Sequence, residues 1–206
     1  MNEVAMSEDV LRAAAEVLAE QGWHELTLER VAHAAGVSRV TLYRRGVNKE
    51  GLVAALAARA AQGWQAAMWP ALTAPGSGAE RLHAALHACC AALELNLPLV
   101  AALESSPQTG GGTGTGPDLG ELTPIGNQMS AATADTYIAP FERLLRDGAA
   151  DGTLTEQPDP DAAAVLLFSI LPRTYLRLRT VHGWEPDRAA ALLGDLVLRG
   201  LLPRNA

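Results

Sequence analysis

Aromatic residues make up only 4 % of this 206-residue chain, and charged residues only 19 %. Val, Ile and Thr are few beside the many alanines. That poverty of β-branched and aromatic side chains disfavours a sheet and points to packed helices. Long apolar runs are missing too. The longest, 162–171, is cut by Pro172 and Arg173, well short of the roughly 20 residues a membrane span needs. The first residues carry Glu3 and lack the basic and apolar regions of a secretory leader, so a soluble, cytoplasmic protein without a membrane partner is expected. The two cysteines, Cys89 and Cys90, are adjacent and cannot build a disulfide framework, which fits a reducing compartment.

A formal charge of -7 argues at first against a nucleic-acid partner. Its distribution reverses the argument. From Arg30 to Lys49 the chain carries five basic residues, Arg30, Arg39, Arg44, Arg45 and Lys49, and no acidic one. Charge alone fits a solvated face as well as a DNA-binding surface, so the motif has to decide.

Helical spacing and cap residues divide the chain. Ser7 precedes a helix with apolar Val10, Leu11, Ala14, Val17 and Leu18, stopped by Gly22. Thr27 caps a short second helix with a stripe of Leu28, Val31, Ala32 and Ala35, followed by Gly36. Ser38 caps a third, over 39–45, and Asn48 a fourth, over 49–69, ended by Pro70. Further helices are expected over 79–97, up to 104, over 127–147 with a break near Pro140, over 160–182 with a kink at Pro172, and over 186–202. Between them, 105–126 reads as a Gly/Thr/Pro-rich linker, whose glycines match neither a dinucleotide fingerprint nor a P-loop.

Residues 28–45 meet the requirements of a helix-turn-helix. Small Ala32 sits where two helices cross, Gly36 is the turn, and Val37 and Leu42 face inward. An ordinary helical hairpin would share those features. It would not account for a second helix exposing Arg39, Thr41, Tyr43 and Arg44, the side chains a recognition helix presents to the major groove and the flanking phosphates.

The run 27–45, TLERVAHAAGVSRVTLYRR, followed by Asn48-Lys49-Glu50-Gly51-Leu52, resembles the N-terminal domain of the TetR family of transcriptional regulators. A fainter likeness lies at 196–202. The resemblance implies an all-α protein: a three-helix helix-turn-helix domain over 1–50, then a helical bundle over 51–206 for ligand binding and dimerisation. It implies a repressor that binds a palindromic operator in double-stranded DNA as a homodimer and is released by a small-molecule effector. Ser38 caps the recognition helix; Arg39 and Thr41 would read bases and Val40 a thymine methyl; Thr27, Tyr43 and Lys49 would hold phosphates, and Arg44 and Arg45 would do either. Many members carry an aromatic residue where this chain has Gly46. The expectation is a gap behind the third helix, either filled by Val47 or Trp23 or left to loosen the end of that helix.

The same resemblance implies an effector cavity in the bundle. Trp64, Met68, His83, His87, Met129, Tyr137, Phe141, Phe168 and Tyr175 are the candidate walls, each also serviceable as plain core packing. His83, His87 and Cys90 share one helix face and would offer three metal ligands, but Ala84 stands where a zincin has its glutamate and no second cluster completes a shell. Pocket polarity or satisfied core histidines are the readings, with no metal and no cofactor. No nucleophile elbow or paired-carboxylate pattern marks an enzyme. Val165, Leu166, Phe168, Ser169, Leu176, Leu192, Leu193, Leu196 and Val197 on the last two helices are the candidate dimer face. The alternative is a helical small-molecule-binding protein whose DNA-binding head has weakened, and an activator is not distinguished from a repressor.

Overall fold

The computed structural model describes residues 6–104 and 136–203, which form nine α-helices and one 3-10 turn and contain no strand. The expected linker, the first part of the helix expected over 127–147, and Met129 lie outside the described residues. The chain divides into two compact units. One comprises Met1–Ala60 with Asn96–Leu122, the other Ala61–Leu95 with Thr123–Ala206.

The first unit holds α1 (Glu8–Gln21), the 3-10 turn Trp23–Glu25, α2 (Leu28–Ala34), α3 (Arg39–Arg44), the first part of α4 (Lys49–Thr73), and α6 (Leu97–Glu104). Val10, Ala14, Val17 and Leu18 of α1 close on Leu26, Val31, Leu42, Leu52 and Leu56, with Leu99 of α6 completing the core. Burying each such leucine stabilises the unit by about 1.5–3 kcal/mol. Ser7 begins α1 through its carbonyl, which accepts from the Val10 and Leu11 amides; its hydroxyl makes no cap bond, contrary to the sequence expectation. Glu8 and Asp9 supply the negative charge that favours this helix end.

In the second unit, α5 (Gly78–Leu95) packs on α7 (Ala139–Ala150), α8 (Pro160–Thr180) and α9 (Pro186–Leu201), and α8 packs on both α7 and α9. Pro160 and Pro186 open their helices, where a missing N–H removes no intrahelical bond. The start of α5 is built by three neighbours. Ser77 and Glu80 form a reciprocal capping box, with Ser77 N–H donating to Glu80 Oε2 at 2.8 Å and Glu80 N–H to Ser77 Oγ at 3.3 Å. The Gly78 amide donates to Asp151 at 2.6 Å and the Ala79 amide to Thr153 Oγ1 at 3.0 Å. The Ser77 bonds hold the Glu80 carboxyl below the usual carboxylate range, and the Thr153 hydroxyl, then the Gly78 amide, do the same for Asp151. Gly78 lies so close to α7 that a Cβ there would stand 2.2 Å from Gly148 Cα, so only glycine permits this crossing.

Pro70 behaves differently from the sequence expectation. Pro70 does not end α4, which runs on to Thr73. The proline forfeits only the bond to the Ala66 carbonyl on an exposed side, and the Thr73 hydroxyl and Ala74 amide satisfy the Trp69 and Pro70 carbonyls at 2.9 and 2.8 Å. α8 runs through Pro172, which is buried. The helix expected to close near 147 reaches Ala150, and the one expected over 79–97 breaks after Leu95 and restarts at Leu97 with Pro98 in its first turn.

Candidate nucleic-acid interface and ligand-binding region

The turn between α2 and α3 follows from backbone hydrogen bonding. Thr27 caps α2, its hydroxyl accepting from the Arg30 amide. At the other end the Gly36 amide donates to the His33 carbonyl and the Val37 amide reaches back to Ala32 at 2.9 Å, with Gly36 at φ +65°. This is a Schellman motif, which requires a left-handed residue and here receives a glycine. Val37 then packs against the core.

The same arrangement ends α3. The Gly46 amide donates to Tyr43 and the Val47 amide to Leu42 at 3.1 Å, with Gly46 at φ +71° and Val47 buried. A Cβ at Gly46 would meet nothing within 4 Å, because the residue is an exposed turn, and both Val47 and Trp23 pack on the core beside it.

Between these turns α3 is only six residues long. Ser38 Oγ accepts from the Thr41 amide at 3.1 Å and lies 2.8 Å from Thr41 Oγ1, so cap and hydroxyl are held together. Leu42 anchors the helix at 0 % exposure, while Val40 and Tyr43 stand 66 % and 75 % exposed. Arg39, Arg44 and Arg45 are exposed as well. An exposed valine and tyrosine thus stand among three exposed arginines on one short helix and its C-cap.

Lys49 is placed differently. Its ammonium donates to the Trp23 carbonyl at 3.0 Å and sits 4.4 Å above the Trp23 ring. Partial burial lowers its pKa from the ordinary lysine value, against the pull of Glu50. Two of its three N–H donors are left by the Trp23 bond. Sequence reading did not single out Glu29, whose carboxylate meets Arg39 across the turn, Oε1 to Nη1, at 2.5 Å. Ten residues separate the pair, a spacing that no helical periodicity flags.

In the second unit the structure brings together four of the candidate wall residues. Trp64 lies 5.0 Å from Tyr137 and 6.2 Å from Phe141, and Tyr137 stacks on Phe168 at 5.1 Å, all between ring centroids. Met68, one turn beyond Trp64 on α4, is buried. Burial also raises the Tyr137 phenol pKa.

The remaining candidates gather elsewhere. His83 and His87 meet edge to face at 4.7 Å, with His83 Nε2 3.3 Å from Asp195 of α9. His87 and Tyr175 border a groove of about 560 Å³ together with Glu94, Leu95 and Asp187. Tyr175 donates to Glu94 Oε2 at 2.8 Å, and Arg179 grips the same carboxylate with two bonds of 2.8 Å while donating to the Trp184 carbonyl. The Arg179 bonds hold Glu94 below the usual carboxylate range, and burial, then the Glu94 bond, drives the Tyr175 phenol up. No periodicity announces a pair 85 residues apart. Cys90 is buried on the same helix as the two histidines, and burial pushes its thiol up to about 12. Among the described residues no three His, Cys, Asp or Glu side chains form a metal-sized group.

The described residues thus form two all-α units, one with a capped helix-turn-helix and an exposed basic face, the other a helical bundle. Residues 10–56 match the model for bacterial regulatory proteins of the tetR family. The match covers the N-terminal part of the chain, which is similar to the DNA-binding domain of that family. No relative among curated proteins matches the sequence. Among solved structures, the TetR-family regulator PfmR of Thermus thermophilus is 23 % identical with a TM-score of 0.68, the match covering 92 % of this chain and 97 % of that one. FadR of Bacillus subtilis, in complex with stearoyl-CoA, is 19 % identical with a TM-score of 0.70 over 93 % and 95 %. The ketosteroid regulator KstR2 of Mycobacterium tuberculosis is 18 % identical with a TM-score of 0.67 over 95 % and 94 %. These likenesses show the fold. No described helix is long and apolar enough to cross a membrane.

Proposed function

We propose that the chain is a cytoplasmic, ligand-responsive repressor that binds a palindromic operator as a homodimer and leaves it when a small molecule binds. The observation that carries DNA binding is the division of α3 between buried Leu42 and exposed Val40 and Tyr43, flanked by Arg39, Arg44 and Arg45. In this reading Arg39 and Thr41 read bases, Val40 meets a thymine methyl, and Thr27, Tyr43 and Lys49 hold phosphates, with Arg44 and Arg45 beside them. Ser38 fixes the helix start.

Dimerisation is supported by an unpartnered apolar stripe on the last two helices. Val165, Leu166, Ile170, Leu192 and Leu196 are exposed there, while Phe168 and Leu193 are spent on the protomer's own core. A second copy presenting the same stripe gives an isologous four-helix contact. Operator half-sites would then require recognition helices about 34–36 Å apart.

The effector reading rests on Trp64, Met68, Tyr137, Phe141 and Phe168, which offer an apolar wall with the Tyr137 phenol as a polar anchor. FadR of Bacillus subtilis was solved with an acyl-CoA, an apolar chain on a polar head, and an effector of that character suits such a wall. A ligand that prefers the form with misplaced recognition helices shifts the population off DNA. Because α4 supplies residues to both units, it is the element that carries the change.

A mobility-shift titration on the DNA upstream of the protein's own gene, at stated salt, tests the reading. Arg39→Ala and Tyr43→Phe are expected to weaken binding about tenfold or more, as the loss of a base or phosphate contact does. Unchanged binding in both would overturn the assignment of α3.

A further inference from the structure

Arg39 opens α3, yet its guanidinium is engaged: Nη1 lies 2.5 Å from Oε1 of Glu29, the second residue of α2. The two side chains are 64 % and 53 % exposed, and ion pairs in such settings do little for stability. What the pair does accomplish is to restrict a long side chain that would otherwise sample many rotamers. A guanidinium carries five N–H donors in one plane, so a carboxylate on one edge leaves another edge for the O6 and N7 acceptors of a guanine. The neighbouring Thr41 is held as well, through Ser38 Oγ at 2.8 Å. The leading turn of α3 is thus arranged before DNA arrives.

We propose that Glu29 is a specificity-determining positioning residue, whose carboxylate aims Arg39 at a guanine edge and keeps it from serving as an indiscriminate phosphate contact. The inference rests on reading α3 as the recognition helix. Its logic is electrostatic. A free Arg39 gains from any phosphate, which raises affinity for every sequence and steepens the salt dependence by about 0.9 per contact in log–log slope. An Arg39 already neutralised by Glu29 gains less from phosphate and must find its advantage in the geometry of a base. Removing the carboxylate therefore exchanges discrimination for attraction.

The test is selection from random duplex DNA by the full-length wild type, Arg39→Ala and Glu29→Gln, followed by binding curves at several salt concentrations on the selected site and on unrelated DNA. Arg39→Ala is expected to erase the preference at one symmetric pair of positions. Glu29→Gln should reduce the preference at those same positions on the order of tenfold, the scale of one bidentate base contact. It should also tighten binding to unrelated DNA and steepen the salt slope by about one unit per protomer. An unchanged thermal melt in Glu29→Gln shows that the effect is not one of folding. Glu29→Gln that retains the wild-type preference at the Arg39 positions, or that loses preference evenly along the site, overturns the proposal. A wild type that selects no sequence overturns the recognition-helix reading beneath it, a result distinct from the loss of Glu29 positioning alone.

Discussion

Gly36 and Gly46 hold the same place after two successive helices, each the left-handed residue that closes a Schellman turn and each followed by a valine directed to the core. The recognition helix is therefore bracketed by two copies of one device. The second copy stands at the position where the family resemblance led to the expectation of a gap.

Gly46→Ala should destabilise the first unit by about 1–2 kcal/mol, the cost of forcing a Cβ into the left-handed region. Gly63→Ala provides the control, since Gly63 lies inside α4 with nothing within 4 Å of its Cβ, and alanine there should stabilise by about 0.5–1 kcal/mol. Urea denaturation followed by circular dichroism distinguishes the two. Equal shifts would rule out the turn as the reason for Gly46.

Glu94 makes a prediction about acid. Arg179 above all, with help from Tyr175, holds its carboxyl below the value it has in an unfolded chain, so its contribution is present above about pH 4.5. That contribution fades as pH falls through the lowered native value. Glu94→Gln should cost about 1 kcal/mol at neutral pH, a modest figure because the pair is partly solvated. The gap between the variant and the wild type should close as the pH drops below 4.5. A gap that stays constant across the whole acid range would show that the residue acts through packing rather than charge.

The two cysteines differ in chemistry from exposed thiols. Burial pushes Cys89 up to about 11 and Cys90 up to about 12. Both should resist a thiol reagent at pH 8 in the native protein and react together on unfolding, because the thiolate is the reactive form. A fast native reaction of either would mean that α5 opens locally at equilibrium.

Leu193 and Leu196 separate self-packing from assembly. Leu193 is 6 % exposed and Leu196 72 %. Leu193→Ala should lower the melting point, costing about 2–5 kcal/mol. Leu196→Arg should leave the protomer folded and convert a dimer to a monomer in light scattering. Wild-type protein that is monomeric at tens of micromolar would contradict the proposed interface.

The helix-turn-helix was legible because its signals are local: Thr27 and Ser38 as caps, Gly36 as the turn and Leu42 as the anchor all act within a few residues. Pro70 misled because a proline near an exposed helix end costs one solvated carbonyl, and neighbouring groups repair the rest. The bundle was legible only as a set of residue types. Trp64, Tyr137, Phe141 and Phe168 do converge, whereas His83 and Tyr175 are drawn to Asp195 and Glu94, partners that spacing along the chain cannot reveal. Glu29 escaped for the same reason, its partner being set by the turn angle and not by a period.

The six-residue length of α3 has a consequence for anyone who wishes to move its specificity elsewhere. An isolated helix shorter than about 12–15 residues does not hold its shape in water. A peptide of 39–44 would be a random coil, and grafting those six side chains onto another helix would carry neither the caps at Ser38 and Gly46 nor the Glu29 tether. The smallest transferable unit is 27–47, from the Thr27 cap to the Val47 plug, together with a host core shaped to receive Leu42.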